Sequence, residues 1–164
     1  MTLGNRIAVF NQGRIEQVGT PTDLYLRPMN RFVSEFLGSP KINVLSYSLD
    51  NHRSTLRIGS QSMALPSNVT STLLARLRNG TSFGVRPEHL RFDDQLPGWR
   101  GTIDFLENLG DLQIAYVRCE GISELMRVKL ARHDVTLVTG HSVRCCPDLD
   151  QLMIFNTHGQ IIPS

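Results

Sequence analysis

The sequence predicts a mainly β protein, a barrel or sandwich of short strands that is preceded by a hairpin and two short helices. Three observations lead to this prediction. After residue 40, β-branched and aromatic runs alternate with glycine, proline and asparagine at short intervals, which is typical of all-β domains. Helix signals are confined to residues 20–38 and 69–78. A chain of 164 residues, 40% of them hydrophobic, can also bury a core without disulfide support.

The hairpin is predicted within the first 19 residues. Two strand-like runs, residues 6–10 and 14–18, flank the triplet Asn11-Gln12-Gly13. Glycine tolerates the positive φ that tight hairpin turns require. We therefore expect an antiparallel pair of strands with its turn at Gly13.

Two short helices are predicted next. Thr20 can accept a backbone N–H bond as the N-cap of a helix that starts at Pro21 and stops at Pro28. A second helix starts at Asn30 and ends at Gly38, where a left-handed cap is common. Its pattern places four apolar side chains on one face: Phe32, Val33, Phe36 and Leu37.

Nine strands are predicted beyond Pro40, at residues 42–49, 55–58, 62–65, 82–86, 101–107, 113–119, 124–130, 142–146 and 152–156. Between the third and fourth of them, residues 69–78 predict a helix, because Leu73 and Leu77 lie four positions apart and Asn79-Gly80 can end it. We place a domain boundary at Gly38, with residues 1–38 as one unit and residues 39–164 as a second.

Charge and cysteine content limit the class of protein. The 17 basic residues are nearly matched by 15 acidic ones, and they form no cluster, so we predict no nucleic-acid binding. No apolar run approaches the roughly 20 residues of a membrane-spanning helix, and we predict no membrane insertion. Three cysteines fit no disulfide framework, which favours a reducing compartment and a cytoplasmic location.

Two segments carry specific motifs. In the first, Gly38-Ser39-Pro40 ends a helix and starts an extended segment that contains Asn43 and Leu45. The second, residues 83–90, reads Phe-Gly-Val-Arg-Pro-Glu-His-Leu. Its strand must end at Pro87, which cannot donate to a ladder, and Arg86 and Glu88 can brace the turn that precedes His89.

Together these segments resemble the C-terminal part of the ATP-hydrolysing subunit of bacterial sugar importers, the maltose and glycerol-3-phosphate type of ABC transporter. Residues 105–110, which end in Leu109-Gly110, and residues 152–161 resemble later strands of the same family. Two positions depart from its usual pattern: Ile42 stands where methionine is common, and Asn156 where aspartate is usual.

The resemblance implies a fold and a role. Residues 1–38 would be the end of a nucleotide-binding domain, and residues 39–164 an OB-like barrel of the transport-associated (TOBE, MOP-like) type. The implied role is regulation and dimerisation in the ATP-binding subunit of an importer of sugars, polyols or glycerol-3-phosphate. The implied partners are a second copy, the importer membrane subunits and regulatory proteins. The subunit would lie at the inner face of the cell membrane.

No catalysis is expected of this chain. The sequence contains no Gly-x-x-x-x-Gly-Lys-Ser/Thr loop, no apolar strand ending in Asp-Glu and no Leu-Ser-Gly-Gly signature, and the family's switch histidine is also missing. We therefore predict no ATP hydrolysis, no catalytic residue and no cofactor here. ATP and magnesium would belong to the full-length subunit.

Without the nucleotide-binding core, residues 1–38 would expose apolar side chains such as Phe10, Phe32, Val33 and Phe36. We expect this segment to be mobile, to pack on the barrel or to be buried in a homodimer contact.

The sequence also contains residues that could form two other kinds of site. Zinc prefers thiolate and imidazole ligands, which are supplied here by His133, His141, Cys145, Cys146 and His158. Adjacent cysteines in a strand point to opposite faces, so we predict no metal site. The alternative to a domain that contacts other proteins is a barrel that binds a small oxyanion or an oligosaccharide. Its candidate binding residues are Arg86, His89 and Arg91.

Overall fold

A computed structural model describes residues 5–50, 54–131 and 137–163. In chain order the elements of these residues are β1 (Ile7–Asn11), β2 (Arg14–Gly19), α1 (Pro21–Leu26), α2 (Arg31–Phe36), β3 (Asn43–Ser46), β4 (Ser48–Asp50), β5 (Thr55–Ile58), β6 (Gln61–Ala64), α3 (Ser71–Asn79), β7 (Ser82–Val85), a 3-10 turn (Pro87–His89), β8 (Leu90–Phe92), β9 (Trp99–Asn108), β10 (Leu112–Cys119), β11 (Met126–Ala131), β12 (Ser142–Pro147), a second 3-10 turn (Leu149–Gln151) and β13 (Met153–Phe155). No described helix is long and apolar enough to cross a membrane.

The predicted hairpin is confirmed. Strands β1 and β2 pair antiparallel. Both Gln12 and Gly13 have positive φ, 46° and 79°, as a tight turn between right-twisted strands requires.

The predicted cap at Thr20 and the predicted start of the second helix at Asn30 are confirmed. The Thr20 hydroxyl accepts a hydrogen bond from the amide of Asp23, at 3.1 Å, and α1 ends before Pro28. The Asn30 side-chain oxygen accepts from the amide of Val33, at 2.9 Å, and starts α2. These bonds satisfy N–H groups that have no partner within the helix.

The predicted apolar face of α2 is only half right. Val33 and Leu37 are buried and pack with Val9 and Leu24 in a small cluster of their own. Phe32 and Phe36 are turned outward and stack on each other, with ring centroids 6.5 Å apart. Helix α2 ends at Phe36, and Val33 and the cap residue Leu37 face the cluster, whereas Phe32 and Phe36, four positions apart, share a row that does not.

The body of the molecule is a nearly closed, OB-like barrel, as predicted. Its main sheet is antiparallel and has the strand order β11-β10-β9-β12-β8. Two three-stranded sheets, β13-β7-β3 and β4-β5-β6, complete the wall. The inward residues of all three sheets and of α3 form one core, in which the buried Trp99 ring lies 5.7 Å from that of Phe83.

Two details differ from the strands that the sequence predicts. The run 42–49 is not one strand but two, β3 and β4, which pair in different sheets. The break falls at Tyr47, whose amide donates to the carbonyl of Thr81 and whose hydroxyl donates to that of Leu77. Strand β8 was not predicted, because three residues after a 3-10 turn carry too short a pattern.

The three cysteines are free and buried, as expected of reduced thiols. Cys145 faces the main core, and its hydrogen bond with Cys119, followed by burial, raises the pKa of its thiol. Cys146 points to the other face of β12, where its Sγ approaches the carbonyl oxygen of Asp93, at 3.1 Å. The loop between β8 and β9 therefore covers the outer side of this strand.

Candidate functional site

Most of the motif residues meet where residues 5–38 join the barrel. This junction is formed by the ends of α1 and α2, the link through Ser39 and Pro40, and the turn after β7. Its centre is the side chain of Arg86, which is only 1% exposed.

Arg86 holds both helices through their backbone carbonyls. Its Nη1 atom donates to the carbonyl oxygens of Leu37, at 2.7 Å, and Ser34, at 3.3 Å. Its Nη2 atom donates to the carbonyl oxygen of Tyr25, at 2.7 Å. The planar fork of a guanidinium can serve several acceptors at once, and these carbonyls lie at helix ends where no intrahelical N–H reaches them. One side chain from the barrel thus satisfies the C-terminal ends of α1 and α2.

Tyr25 makes the second connection. Its ring lies under the guanidinium, 3.6 Å from Cζ of Arg86. Its hydroxyl donates to the carboxylate of Glu88. Burial, followed by this hydrogen bond, raises the pKa of Tyr25 to about 12. Burial also lowers the pKa of Arg86, although the neighbouring Tyr25 and Glu88 oppose the shift.

Gly38 allows the link to pass close to Arg86. Its φ is +121°, a conformation that side chains disfavour. A Cβ atom at this position would lie 3.1 Å from Nη1 of Arg86 and 3.4 Å from the Tyr25 ring. The backbone conformation and the close approach of Arg86 both favour glycine here.

Asn43 closes the barrel beside the junction. Its side-chain amide donates to the carbonyl oxygens of Val85, at 3.3 Å, and Arg127, at 2.9 Å. Its side-chain oxygen accepts from the Arg127 amide, at 2.7 Å. Strands β3 and β11 belong to different sheets, so this 3% exposed side chain replaces the missing ladder between them.

The C-terminal residues form a further contact with α2. The Arg31 amide donates to the carbonyl oxygen of Gly159, at 2.8 Å, and the Ile161 amide donates to that of Met29, at 3.3 Å. Residues 5–38 therefore pack on the barrel, which is one of the three outcomes expected from the sequence.

Other motif residues lie elsewhere. Leu45 is buried opposite Phe83 in the β3–β7 pair. Leu109 and Gly110 form the exposed turn between β9 and β10. The amide of His89 donates to the carbonyl oxygen of Arg86 within the 3-10 turn that Pro87 opens.

The alternative ligand set is not brought together around an open cavity. Both terminal nitrogens of Arg86 are engaged by carbonyl oxygens, whereas Arg91 is exposed on β8. His89 is half-buried, and its Nδ1 atom is buried with no hydrogen-bond partner in the described part of the chain. A ligand at these three residues stays a prediction.

Tyr25 was not identified from the sequence. It lies 61 positions before Arg86, and an aromatic residue in a short helix gives no sign that it faces a cation. The backbone carbonyls of Ser34 and Leu37 carry no sequence signal at all. Only Gly38, as the predicted helix terminator, marks where α2 ends.

Within residues 5–50, 54–131 and 137–163, no group of three or more His, Cys, Asp or Glu side chains is placed to hold a metal ion. His133, one of the candidate ligands, lies outside the described residues.

Comparison with known proteins assigns the barrel to a family. Residues 83–155, from β7 to β13, match the model described as the TOBE domain. This chain contains a TOBE domain. The match begins just before Arg86 and Glu88 and excludes the helices that they contact.

Relatives align over much more of the chain. The alpha-glucoside transport ATP-binding protein AglK of Rhizobium meliloti is 37% identical over 98% of this chain and 44% of that protein. The sn-glycerol-3-phosphate import ATP-binding proteins UgpC of Chromohalobacter salexigens and Ruegeria pomeroyi are 38% and 34% identical, over 79% and 95% of this chain and 34% and 41% of those proteins. The chain spans less than half the length of each of these relatives.

Proposed function

We propose that this chain is the C-terminal regulatory and dimerisation part of the ATP-binding subunit of a carbohydrate ABC importer, for sugars, polyols or glycerol-3-phosphate. It hydrolyses no ATP alone, and residues 1–38 are the end of the nucleotide-binding domain. The observation that carries the proposal is the Arg86 junction, which fastens two helices outside the TOBE match to the TOBE barrel.

The apolar surface of the N-terminal segment supports this proposal. Seven of the ten exposed large hydrophobic side chains in the described residues precede Gly38: Phe10, Ile15, Val18, Leu26, Met29, Phe32 and Phe36. Each such side chain gains about 1.5 to 3 kcal/mol when it is fully buried. A concentration of them in one segment is typical of a surface that another part of a protein covers. The nucleotide-binding core of the same subunit is the occupant that we propose.

The role that follows is mechanical. A movement of the nucleotide-binding core would reach the barrel through α1, α2 and the guanidinium of Arg86, since all three share hydrogen bonds. In the assembled importer, two barrels would meet across a two-fold axis, and the subunit would lie at the inner face of the membrane against the membrane subunits. Exposed barrel surface would remain for regulatory proteins.

A hybrid subunit tests the importer role. This chain would replace the matching stretch of the Rhizobium meliloti relative, and uptake of an alpha-glucoside would be measured in cells that lack that relative. We expect uptake above that of a subunit truncated at the same point. A hybrid that is present at normal level, hydrolyses ATP and yet gives no uptake would contradict the proposed role.

Self-association is tested on the chain alone. Light scattering across the micromolar range should show a dimer at the upper concentrations. A strict monomer would mean that dimerisation does not reside in this part of the subunit. Incubation with ATP and magnesium should release no phosphate, and saturable turnover would overturn the non-catalytic assignment.

A further inference from the structure

We propose that the C-terminal tail, residues 156–163, is a latch that fixes the start of α2 to the barrel. Arg86 holds the other end of the same helix. Together they make α2 a rigid connection that carries movement of the nucleotide-binding core to the barrel. This role rests on the proposed function, because the latch is an element through which that movement passes.

One edge of the tail pairs with the barrel. The amide of Ile162 donates to the carbonyl oxygen of Ile154, at 2.8 Å. Phe155 forms an antiparallel bridge with Ile161. Because Ile154 and Phe155 belong to β13, the tail adds a short row to the sheet β13-β7-β3. From α3, Nε of Arg76 donates to the carbonyl oxygen of Ile162, at 3.2 Å. The tail is therefore anchored on the barrel by both β13 and α3.

The opposite edge of the tail pairs with the start of α2. The amide of Arg31, the first residue of the helix, donates to the carbonyl oxygen of Gly159, at 2.8 Å. The amide of Ile161 donates to the carbonyl oxygen of Met29, at 3.3 Å. The first amides of a helix have no acceptor within it, and here the tail supplies one. The start of α2 is therefore bonded to the barrel through the tail.

The shape of the tail is set by its own turn. The Asn156 side-chain oxygen accepts from the amides of His158, at 2.9 Å, and Gln160, at 3.0 Å. Gly159 supplies a positive φ, +72°, where the chain reverses. None of residues 156–163 is buried. The tail can therefore detach from α2 with little loss of core packing, which is what a latch requires.

Two attachments restrain a helix more than one does. Arg86 binds the carbonyl oxygen of Leu37 at the C-terminal end of α2, whereas the tail binds the amide of Arg31 at its first residue. The six residues of α2 rise by about 9 Å between these points. A helix held only by Arg86 can pivot about it, but a helix held at both ends moves with the barrel. Loss of the latch should therefore leave the barrel attached and weaken the transmission of movement.

Hydrogen exchange of this chain tests the latch itself. Deletion of residues 157–164 should speed exchange of the Arg31 amide by about tenfold or more, whereas the Leu24 amide in α1 should change by less than about threefold. Arg76→Met removes one anchor of the tail without shortening the chain and should also speed exchange at Arg31. Arg57→Met, at an exposed position on β5, is the matched control and should leave this rate unchanged. An Arg31 amide that exchanges at the wild-type rate in both the deletion and Arg76→Met would overturn the latch.

The hybrid subunit tests what the latch does in transport. The deletion and Arg76→Met should retain ATP hydrolysis but lower uptake per ATP hydrolysed by about fivefold or more, the size of a modest coupling between sites. The hybrid with Arg57→Met should match the unmodified hybrid. If the unmodified hybrid gives no uptake, the proposed function fails, and the exchange measurement still decides whether the latch exists. If it gives uptake that neither change lowers, the latch does not carry the movement and the proposal is overturned.

Discussion

Arg86 satisfies helix ends that the chain itself leaves open. The last carbonyls of a short helix have no intrahelical donors, and in α1 and α2 those of Tyr25, Ser34 and Leu37 accept from one guanidinium instead. Because this guanidinium is buried, its net value lies less in charge than in the acceptors that would be left unpaired without it.

Replacement of Arg86 by methionine should therefore be costly. Arg86→Met keeps much of the side-chain volume but removes the donors, and the free energy of unfolding should fall by about 2 to 4 kcal/mol. Urea titration followed by the fluorescence of the buried Trp99 measures it. Arg57→Met, at an exposed position on β5, is the control and should change the value by less than about 0.5 kcal/mol. Equal stability of the two variants would contradict the role given to Arg86.

Alkaline pH should destabilise the protein through two tyrosines. The pKa of Tyr25 and that of Tyr47 are both raised from 10.0 to about 12, chiefly by burial. The fold thus favours the neutral phenols, so their contribution is complete below pH 10 and is lost as pH rises towards 12. Urea midpoints measured across this window should fall with pH. The double variant Tyr25→Phe, Tyr47→Phe should lose less stability over the same range, and a slope identical to that of the wild type would contradict the linkage.

At the scale of elements, two positions join the parts of the fold. Asn43 takes the place of a ladder between β3 and β11, which belong to different sheets. Gly38 carries the chain from α2 past Arg86 in a conformation that other residues adopt only with strain. Each position can be compared with a matched residue on the surface.

Asn43→Asp should weaken barrel closure. The aspartate has the same shape but no donors, and its carboxylate would face the carbonyl oxygens of Val85 and Arg127. We expect a loss of about 2 to 3 kcal/mol in the free energy of unfolding, measured by urea titration. Asn68→Asp makes the same chemical change at an exposed position and should have little effect. A loss of similar size in both variants would exclude a special role for Asn43.

Gly38→Ala should cost more than Gly13→Ala, although both glycines have positive φ. Nothing lies within 4 Å of a Cβ atom at Gly13, so only the backbone penalty of about 1 kcal/mol is expected there. At Gly38 the Cβ atom also meets Arg86 and the Tyr25 ring, which raises the expected loss to about 2 to 3 kcal/mol. Thermal unfolding of the two variants provides the comparison. If the larger loss were found at Gly13, the close approach at Gly38 would be unimportant.

Local signals predicted most elements, and contacts between distant residues account for the differences. The Asn11-Gln12-Gly13 turn, the cap at Thr20, the helix start at Asn30 and the stop at Pro87 depend on neighbouring residues, and the structure confirms each of them. The break at Tyr47 and the outward turn of Phe32 and Phe36 depend on which sheet or cluster lies opposite. No pattern along one strand contains that information.

For the molecule as a whole, the OB-like barrel and its relationship to importer subunits were both predictable, because motifs such as residues 83–90 occur in a fixed order along the chain. The way in which residues 5–38 attach to the barrel was not predictable. Arg86 had been expected to brace its own turn together with Glu88. Instead, Arg86 and Glu88 both reach Tyr25 in α1, and only the folded chain brings these residues together.

The attachment of the N-terminal segment to the barrel is the central claim, and hydrogen exchange of the full chain tests it most directly. In the wild type, the amides of Leu24 and Ser34, which donate within α1 and α2, should be protected to nearly the same degree as those of β9 and β10. In Arg86→Met, the helix amides should exchange much faster while the β9 and β10 amides stay protected. Helix amides that exchange freely in the wild type, or that are unaffected by Arg86→Met, would contradict the claim.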